Sequence, residues 1–234
     1  MSNPQFWAVV PAAGVGERMQ ADKPKQYLLL NGQTVIEHTL QRLAAHPDIA
    51  GIIVAISPND DWWPSISVSL DCPLHVVEGG AHRADSVLNG LMILSEYLDD
   101  DPWVLVHDAA RPCLRVTDID KMLTSLSEHD VGGILGVLVN DTVKRTNLNN
   151  EIMESVDRRN LWRAATPQMF RLRQLKQGLE TAFSQQMTVT DEASAIELMG
   201  LSPMMVEGHS DNIKITVPED LALASWFLQQ QGEA

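Results

Sequence analysis

Positive charge is scarce in this 234-residue chain: Lys and Arg number 17 against 31 Asp and Glu, a formal net charge of -14. A nucleic-acid-binding face needs a surplus of cations to neutralise phosphates, so that class of partner is excluded. Cysteine is nearly absent. Cys72 and Cys113 are far apart, with no Cys-x-x-Cys or Cys/His ligand spacing. This excludes a disulfide scaffold and a zinc site, and a reducing cytoplasm is the simplest context. No apolar run is long enough to cross a bilayer. Met1-Ser2-Asn3-Pro4-Gln5 lacks the charged start of a signal peptide, so a cytoplasmic chain without a membrane partner is expected. Internal repeats, Gly-x-Ser-x-Gly and His-Glu-x-x-His are missing, and the seven histidines between His38 and His209 show no ligand pattern. What remains is a globular chain, 44% hydrophobic, expected to fold over 1–234 as one large domain.

The few cations it has are gathered. Arg18, Lys23 and Lys25 are the first, and none follows until Arg42. They fall in a glycine-rich stretch, Pro11-Ala12-Ala13-Gly14-Val15-Gly16-Glu17-Arg18-Met19, and in Lys23-Pro24-Lys25-Gln26-Tyr27 just after it. The apolar run Phe6–Val10 precedes, so the loop is expected to leave the end of a buried strand. Small residues let backbone N–H groups approach phosphate oxygens, and Arg18 and Lys25 add charge, so the stretch reads as a triphosphate cradle. An anion would be drawn to it against a repulsive background. It is neither a Walker loop, since Glu17 and Arg18 follow Gly16, nor a three-glycine dinucleotide fingerprint. The glycines alone would equally suit an ordinary strand-to-helix turn.

Short apolar runs alternate with amphipathic stretches, which predicts an α/β fold with a mostly parallel sheet. Strands are expected at Phe6–Val10, Ile52–Ile56, Leu74–Val77, Trp103–Val106 and Ile134–Val139. Thr34-Val35-Ile36-Glu37 predicts a capped helix to about Ala45, after a tight Asn31-Gly32 turn. Apolar spacing predicts a helix over Arg83–Tyr97, and Thr216-Val217-Pro218-Glu219 a capped C-terminal helix through Leu228. Asn140–Val156 breaks the rhythm: Asp141–Arg145 and Ile152–Val156 flank Asn147-Leu148-Asn149-Asn150, which reads as a long β-hairpin arm. A lone hairpin is marginal in water, so the arm is expected to pack elsewhere, either on a second subunit or back on its own domain.

Three further clusters stand where an α/β sheet binds ligands, beyond the carboxyl ends of its strands. In Glu78-Gly79-Gly80-Ala81-His82-Arg83-Ala84-Asp85-Ser86 the glycines admit a flat ligand against the backbone and Ser86 offers a hydroxyl. In His107-Asp108-Ala109-Ala110-Arg111-Pro112 a carboxylate ends an apolar strand and is costly without a partner. That partner is Mg²⁺, a ligand hydroxyl, or Arg111 in a purely structural pair. Asp211–Thr216 places Lys214 in a short apolar strand, where a lysine calls for an anion, and Val156-Asp157-Arg158-Arg159 supplies cations at the foot of the hairpin. No nucleophile set accompanies these clusters. A phosphate attacking another phosphorus needs alignment and neutralisation rather than a general base.

The ordered set resembles one family: Pro11-Ala12-Ala13-Gly14-x-Gly16-x-Arg18-Met19, Pro24-Lys25-Gln26-Tyr27, Arg83-x-x-Ser86-Val87, Val106–Pro112, Thr166-Pro167-Gln168, Thr190-Asp191-Glu192 and Asn212-Ile213-Lys214 are similar to those of the 2-C-methyl-D-erythritol 4-phosphate cytidylyltransferases. The resemblance implies transfer of CMP from CTP to methylerythritol phosphate with Mg²⁺ and release of pyrophosphate. It implies a Rossmann-like nucleotidyltransferase sheet and a homodimer whose hairpin arms each complete the neighbouring site. Carried over by position, Arg18 and Lys25 would stabilise charge on the α-phosphate, and Arg158 and Lys214 would orient the attacking phosphate. Pro11, Ala12, Ala13, Gly14, Gly16, Gly80, Ser86 and Ala109 would bind the nucleotide. Asp108, Arg111, Thr142 and Thr190 would face the sugar phosphate, with Asp108 also the metal ligand. Ala81 departs from the family, which commonly has an acidic residue there. The alternatives are a cytidylyltransferase for a pentitol phosphate such as ribitol 5-phosphate, or a non-catalytic nucleotide-binding module.

Overall fold

The computed structural model describes residues 6–14, 22–98 and 100–232. Strand β1 (Phe6–Pro11) opens the chain, followed by a small ribbon of β2 (Leu29–Leu30) and β3 (Gln33–Thr34), helix α1 (Val35–Ala44), β4 (Ile49–Ile56) and β5 (Leu74–Glu78). Next come α2 (Arg83–Tyr97), β6 (Trp103–Val106), α3 (Val116–Leu126) and β7 (Gly133–Leu138). The arm strands β8 (Val143–Thr146) and β9 (Ile152–Val156) precede β10 (Trp162–Arg171), α4 (Leu172–Ser184), α5 (Glu192–Leu198), β11 (Met204–Glu207) and α6 (Glu219–Gly232).

Seven strands form one sheet in the order β11-β7-β10-β6-β1-β4-β5. Only β10 runs against the rest, antiparallel to both β6 and β7. The continuous apolar runs of the inner strands follow from burial on both faces. Phe6, Ala8 and Val10 of β1 join Trp103 and Leu105 of β6 beneath α1 and α3, whereas Trp7, Val9, Val104 and Val106 face α2, α4 and α5. A smaller cluster seats Ala224 and Leu228 of α6 on Leu30, Val35, Ala110 and Ile215.

Local chemistry explains most of the expected elements. Thr34 and Glu37 cap α1 reciprocally, the Thr34 N–H donating to Glu37 Oε2 at 2.6 Å and the Glu37 N–H to Thr34 Oγ1 at 3.4 Å. Asn31 and Gly32 turn β2 into β3 with φ of 51° and 88°. At α6 the cap differs from the expected one: Asp220, not Glu219, accepts from the Thr216 and Val217 N–H groups, and the helix runs to Gly232. Lys214 is not in a strand. Its segment forms no ladder and is tied to the fold by single bonds such as Ile215 N–H to Ala110 O at 2.9 Å.

The hairpin arm is present as β8 and β9, which pair only with each other. Leu148 at its turn is fully exposed, and Ile152 and Met153 are exposed on β9. No helix among the described residues is long and apolar enough to cross a membrane.

Strand β11 sits on β7 through glycine. A Cβ at Gly133 would overlap the Met204 carbonyl oxygen, and the Met204 N–H donates to Gly132 O at 3.0 Å. Gly133→Ala is therefore expected to lower unfolding stability by about 1–3 kcal/mol as β11 is pushed off its neighbour. Urea titration measures this, and an unchanged midpoint would contradict the fit.

Candidate active site

The loops after β1, β5 and β6 meet at the carboxyl ends of the parallel strands and enclose a cleft. Pro11, Ala12, Ala13 and Gly14 form one wall, Gly80 and Ser86 with the start of α2 another, and Asp108, Ala109, Lys25 and Lys214 complete it.

The glycine loop is held by a side chain outside it. Gln26 is buried and its amide donates to Ala12 O at 2.7 Å and Gly14 O at 3.1 Å. Ala12 N–H continues the β1–β4 pairing onto Ala55 O at 2.7 Å. The facing loop needs both its glycines: a Cβ at Gly79 would lie 2.6 Å from Ala13 Cβ, and one at Gly80 would overlap Asp85. Ser86 is buried and its Oγ accepts the Gly80 N–H at 3.0 Å, so the hydroxyl shapes the loop.

Asp108 is the electrostatic centre. It is buried at the end of β6, with Oδ1 accepting from Arg83 Nε at 2.8 Å and Oδ2 from Lys214 Nζ at 2.9 Å and Arg111 Nε at 3.4 Å. Burial pushes its carboxyl pKa up, but Arg83, Lys214 and Arg111 outweigh this and hold it well below the usual carboxylate range. Arg83 in turn donates to both oxygens of Glu192, at 2.6 and 3.0 Å. Burial favours loss of the Arg83 charge, and Glu192 and Asp108 more than restore it.

Behind Asp108 runs a neutral chain. The Asp108 N–H donates to Thr166 Oγ1 at 3.1 Å, and that hydroxyl meets His107 Nδ1 at 3.0 Å. His107 Nε2 lies 3.1 Å from Arg111 O. A carbonyl accepts only, so Nε2 carries the hydrogen and Nδ1 accepts a hydrogen bond from the Thr166 hydroxyl.

The residues expected from the sequence divide into three groups. Lys25, Lys214, Asp108, Ala109, Gly80, Ser86, Pro11, Ala12, Ala13 and Gly14 line one cleft, and Arg111 reaches it through Asp108 while its NH1 donates to Asn212 O at 2.7 Å. Arg158, Thr142 and Thr190 are exposed and do not line the cleft of their own chain. Arg158 NH1 bonds Asn140 O across the foot of the arm. Gly16 and Arg18 lie outside the described residues.

Asp108, the expected metal ligand, is surrounded by cationic side chains. Both carboxylate oxygens accept from cationic side chains, and an added Mg²⁺ would meet Arg83, Lys214 and Arg111. Among the described residues no three His, Cys, Asp or Glu gather to hold a metal ion. The residues present do not fit a protein-held Mg²⁺ site. Glu192, Gln26, Thr166 and Asn212 were given no part by the sequence. Their motifs are visible there, but an acidic residue at a helix start also reads as an ordinary dipole partner.

A sequence profile of the 2-C-methyl-D-erythritol 4-phosphate cytidylyltransferase family matches residues 6–230. The chain is 52% identical over 224 residues to the protein of that name from Vibrio parahaemolyticus, covering 96% of this chain and 95% of that one. It is 50% identical over 228 residues to the one from Pseudomonas putida, covering 97% and 96%. The crystal structure of the Francisella tularensis protein of the same name superposes with a TM-score of 0.82 at 38% identity, covering 95% of this chain and 99% of that chain.

Full burial pulls the His107 imidazole pKa from its ordinary 6.5 down to about 4. The unfolded chain therefore binds this proton first, and the folded state loses stability as pH falls from about 6.5 toward 4. Between pH 7 and pH 5 the loss from His107 is about 2 kcal/mol. Urea unfolding of His107→Gln at the two pH values is expected to show a pH difference smaller by that amount. An undiminished difference would show that His107 does not titrate this way.

Proposed function

The chain belongs to the 2-C-methyl-D-erythritol 4-phosphate cytidylyltransferase family, and on that premise we propose how its cleft performs the reaction. It transfers CMP from CTP to 2-C-methyl-D-erythritol 4-phosphate, giving 4-diphosphocytidyl-2-C-methyl-D-erythritol and pyrophosphate in isoprenoid precursor synthesis. A phosphate oxygen of the sugar phosphate attacks the α-phosphorus of CTP. The bond from that phosphorus to the β-phosphate bridging oxygen breaks, and pyrophosphate leaves with the electron pair. The attacking group is ionised at neutral pH, so no general base is required. The pentitol-phosphate and non-catalytic readings give way to relatives about half identical over nearly the whole chain.

One observation carries the residue assignment: Lys25 and Lys214 line the same cleft as the glycine loop and the Gly80–Ser86 wall. Cytidine would lie against Ala12, Gly80 and Ser86, whose backbone groups can read the base edge. The triphosphate would follow the loop from Pro11 toward Gly16, with Lys25 and Arg18 meeting charge that builds on the α-phosphate. Lys214 and Arg158 would align the incoming phosphate, while Asp108, Arg111, Thr142 and Thr190 would face the sugar. Mg²⁺ would be held by phosphate oxygens, and no residue of this chain is assigned to it.

The same reading makes the protein a homodimer. Arg158 and Thr142 lie at the foot of an exposed ribbon and outside their own cleft, and the ribbon carries Leu148, Ile152 and Met153 uncovered. An arm crossing to a second subunit would cover these groups and bring Arg158 and Thr142 to that subunit's cleft. Two free cysteines fit a cytoplasmic protein.

Lys25→Ala is expected to lower kcat by roughly 10²–10³ while CTP binding changes little. Pyrophosphate release under saturating substrate measures this, and a raised KM with normal kcat would reduce Lys25 to a ground-state ligand. The shared site has its own test. Lys25→Ala and Arg158→Ala, each inactive, are mixed under conditions that exchange subunits. A mixed dimer then holds one site with both defects and one with neither, so activity should return. No recovery despite demonstrated exchange would overturn the crossing arm and leave the activity intact.

A further inference from the structure

Glu192 is a fully buried carboxylate that none of these roles uses. Burying it is costly unless a cation meets it with good geometry. Arg83 does so end-on, its two terminal nitrogens each reaching one carboxylate oxygen at 2.6 and 3.0 Å. This leaves the Nε–H of the same rigid plane, and it points to Asp108 Oδ1 at 2.8 Å. The guanidinium is thus a bracket between two carboxylates, with angles set by its own covalent geometry rather than by a flexible stem.

With Oδ1 taken, Asp108 turns Oδ2 toward Lys214 at 2.9 Å and Arg111 at 3.4 Å. Lys214 lies in a segment without regular structure, and its side chain is 36% exposed. An ammonium there has rotatable bonds to spare, so its place depends on the anion beside it. Glu192 begins α5 and Arg83 begins α2, two helices on one face of the sheet. The chain Glu192–Arg83–Asp108–Lys214 therefore ties the start of α2, which carries Ser86, to the cleft lysine.

We propose that Glu192 is a positioning residue for CMP transfer: through the Arg83 guanidinium it orients the Asp108 carboxylate, and through Asp108 it places the Lys214 ammonium. The proposal rests on the reading of Lys214 as the group that aligns the attacking phosphate. Without the Glu192 charge, Arg83 turns wholly to Asp108 and draws it away from Lys214. The cleft is then more positive but less ordered, so the sugar phosphate still binds while its alignment suffers.

The test is steady-state kinetics of Glu192→Gln with CTP and 2-C-methyl-D-erythritol 4-phosphate. The expected result is a kcat about tenfold lower, a KM for CTP within about twofold, and no rise in KM for the sugar phosphate. Asp108→Asn supplies the second side of a double-mutant cycle. It should cost at least about threefold less in the Glu192→Gln background than in the wild type, because one chain is already broken. Factors that multiply independently would overturn the proposal, as would equal rises in both KM values. If Glu192→Gln does not fold, Arg83→Lys decides: it keeps the charge but cannot bracket two carboxylates, and it should reproduce the loss in kcat. Wild-type kinetics in Arg83→Lys would overturn the proposal. Failure of the wild type itself to release pyrophosphate from the two substrates would instead remove the functional reading beneath it.

Discussion

A carboxylate buried at the end of a central strand has to be neutralised where it stands, and the cleft of this protein is assembled from the groups that neutralise Asp108. Each comes from a different part of the fold: Arg83 from the first residue of α2, Arg111 from the turn after β6, and Lys214 from the segment between β11 and α6. All three bond the same buried carboxylate, so these elements are coupled electrostatically as well as by packing. The uncharged chain of Thr166 and His107 behind the Asp108 backbone adds hydrogen bonds without adding charge.

The glycine loop depends on the same economy of charge. Its backbone is shaped by an amide, Gln26, which fixes two carbonyls and brings no net charge. A neutral side chain thus shapes the loop without changing the local charge around the cleft. In a chain with net charge -14 this matters, because the long-range field repels phosphates and only local cations overcome it.

Much of this was legible in the sequence because it is local. β6 has the expected bounds Trp103–Val106, α2 runs over the expected Arg83–Tyr97, and the Thr34 cap and Asn31-Gly32 turn lie where residue chemistry puts them. The hairpin, too, is encoded in adjacent residues. What escaped is what only the assembled sheet can decide. β10 carries Pro167, which cannot donate to a ladder, and its pairing with β7 shifts register between Ala164 and Gln168. β11 is four residues long, and α5 only seven. Lys214 looked like a strand residue because isoleucines flank it, yet Ile215 packs under α6 and the segment has no partner strand. The part of Glu192 was invisible for a related reason: its partner Arg83 is more than a hundred residues away in the chain.

The placement of β10 has a consequence for the order in which the protein is made. β6 and β7 leave the ribosome well before the strand that will lie between them, and the whole arm is inserted in the interval. Until Arg171 has emerged, the nascent chain holds an apolar β6 with one edge open, the kind of edge that recruits other strands. At that stage Asp108 already has Arg83 and Arg111 within the synthesised part, while Glu192 and Lys214 do not yet exist. The half-made domain thus carries its buried anion with an incomplete shell. The residues that follow β10 supply Glu192 and Lys214, the last two members of that shell.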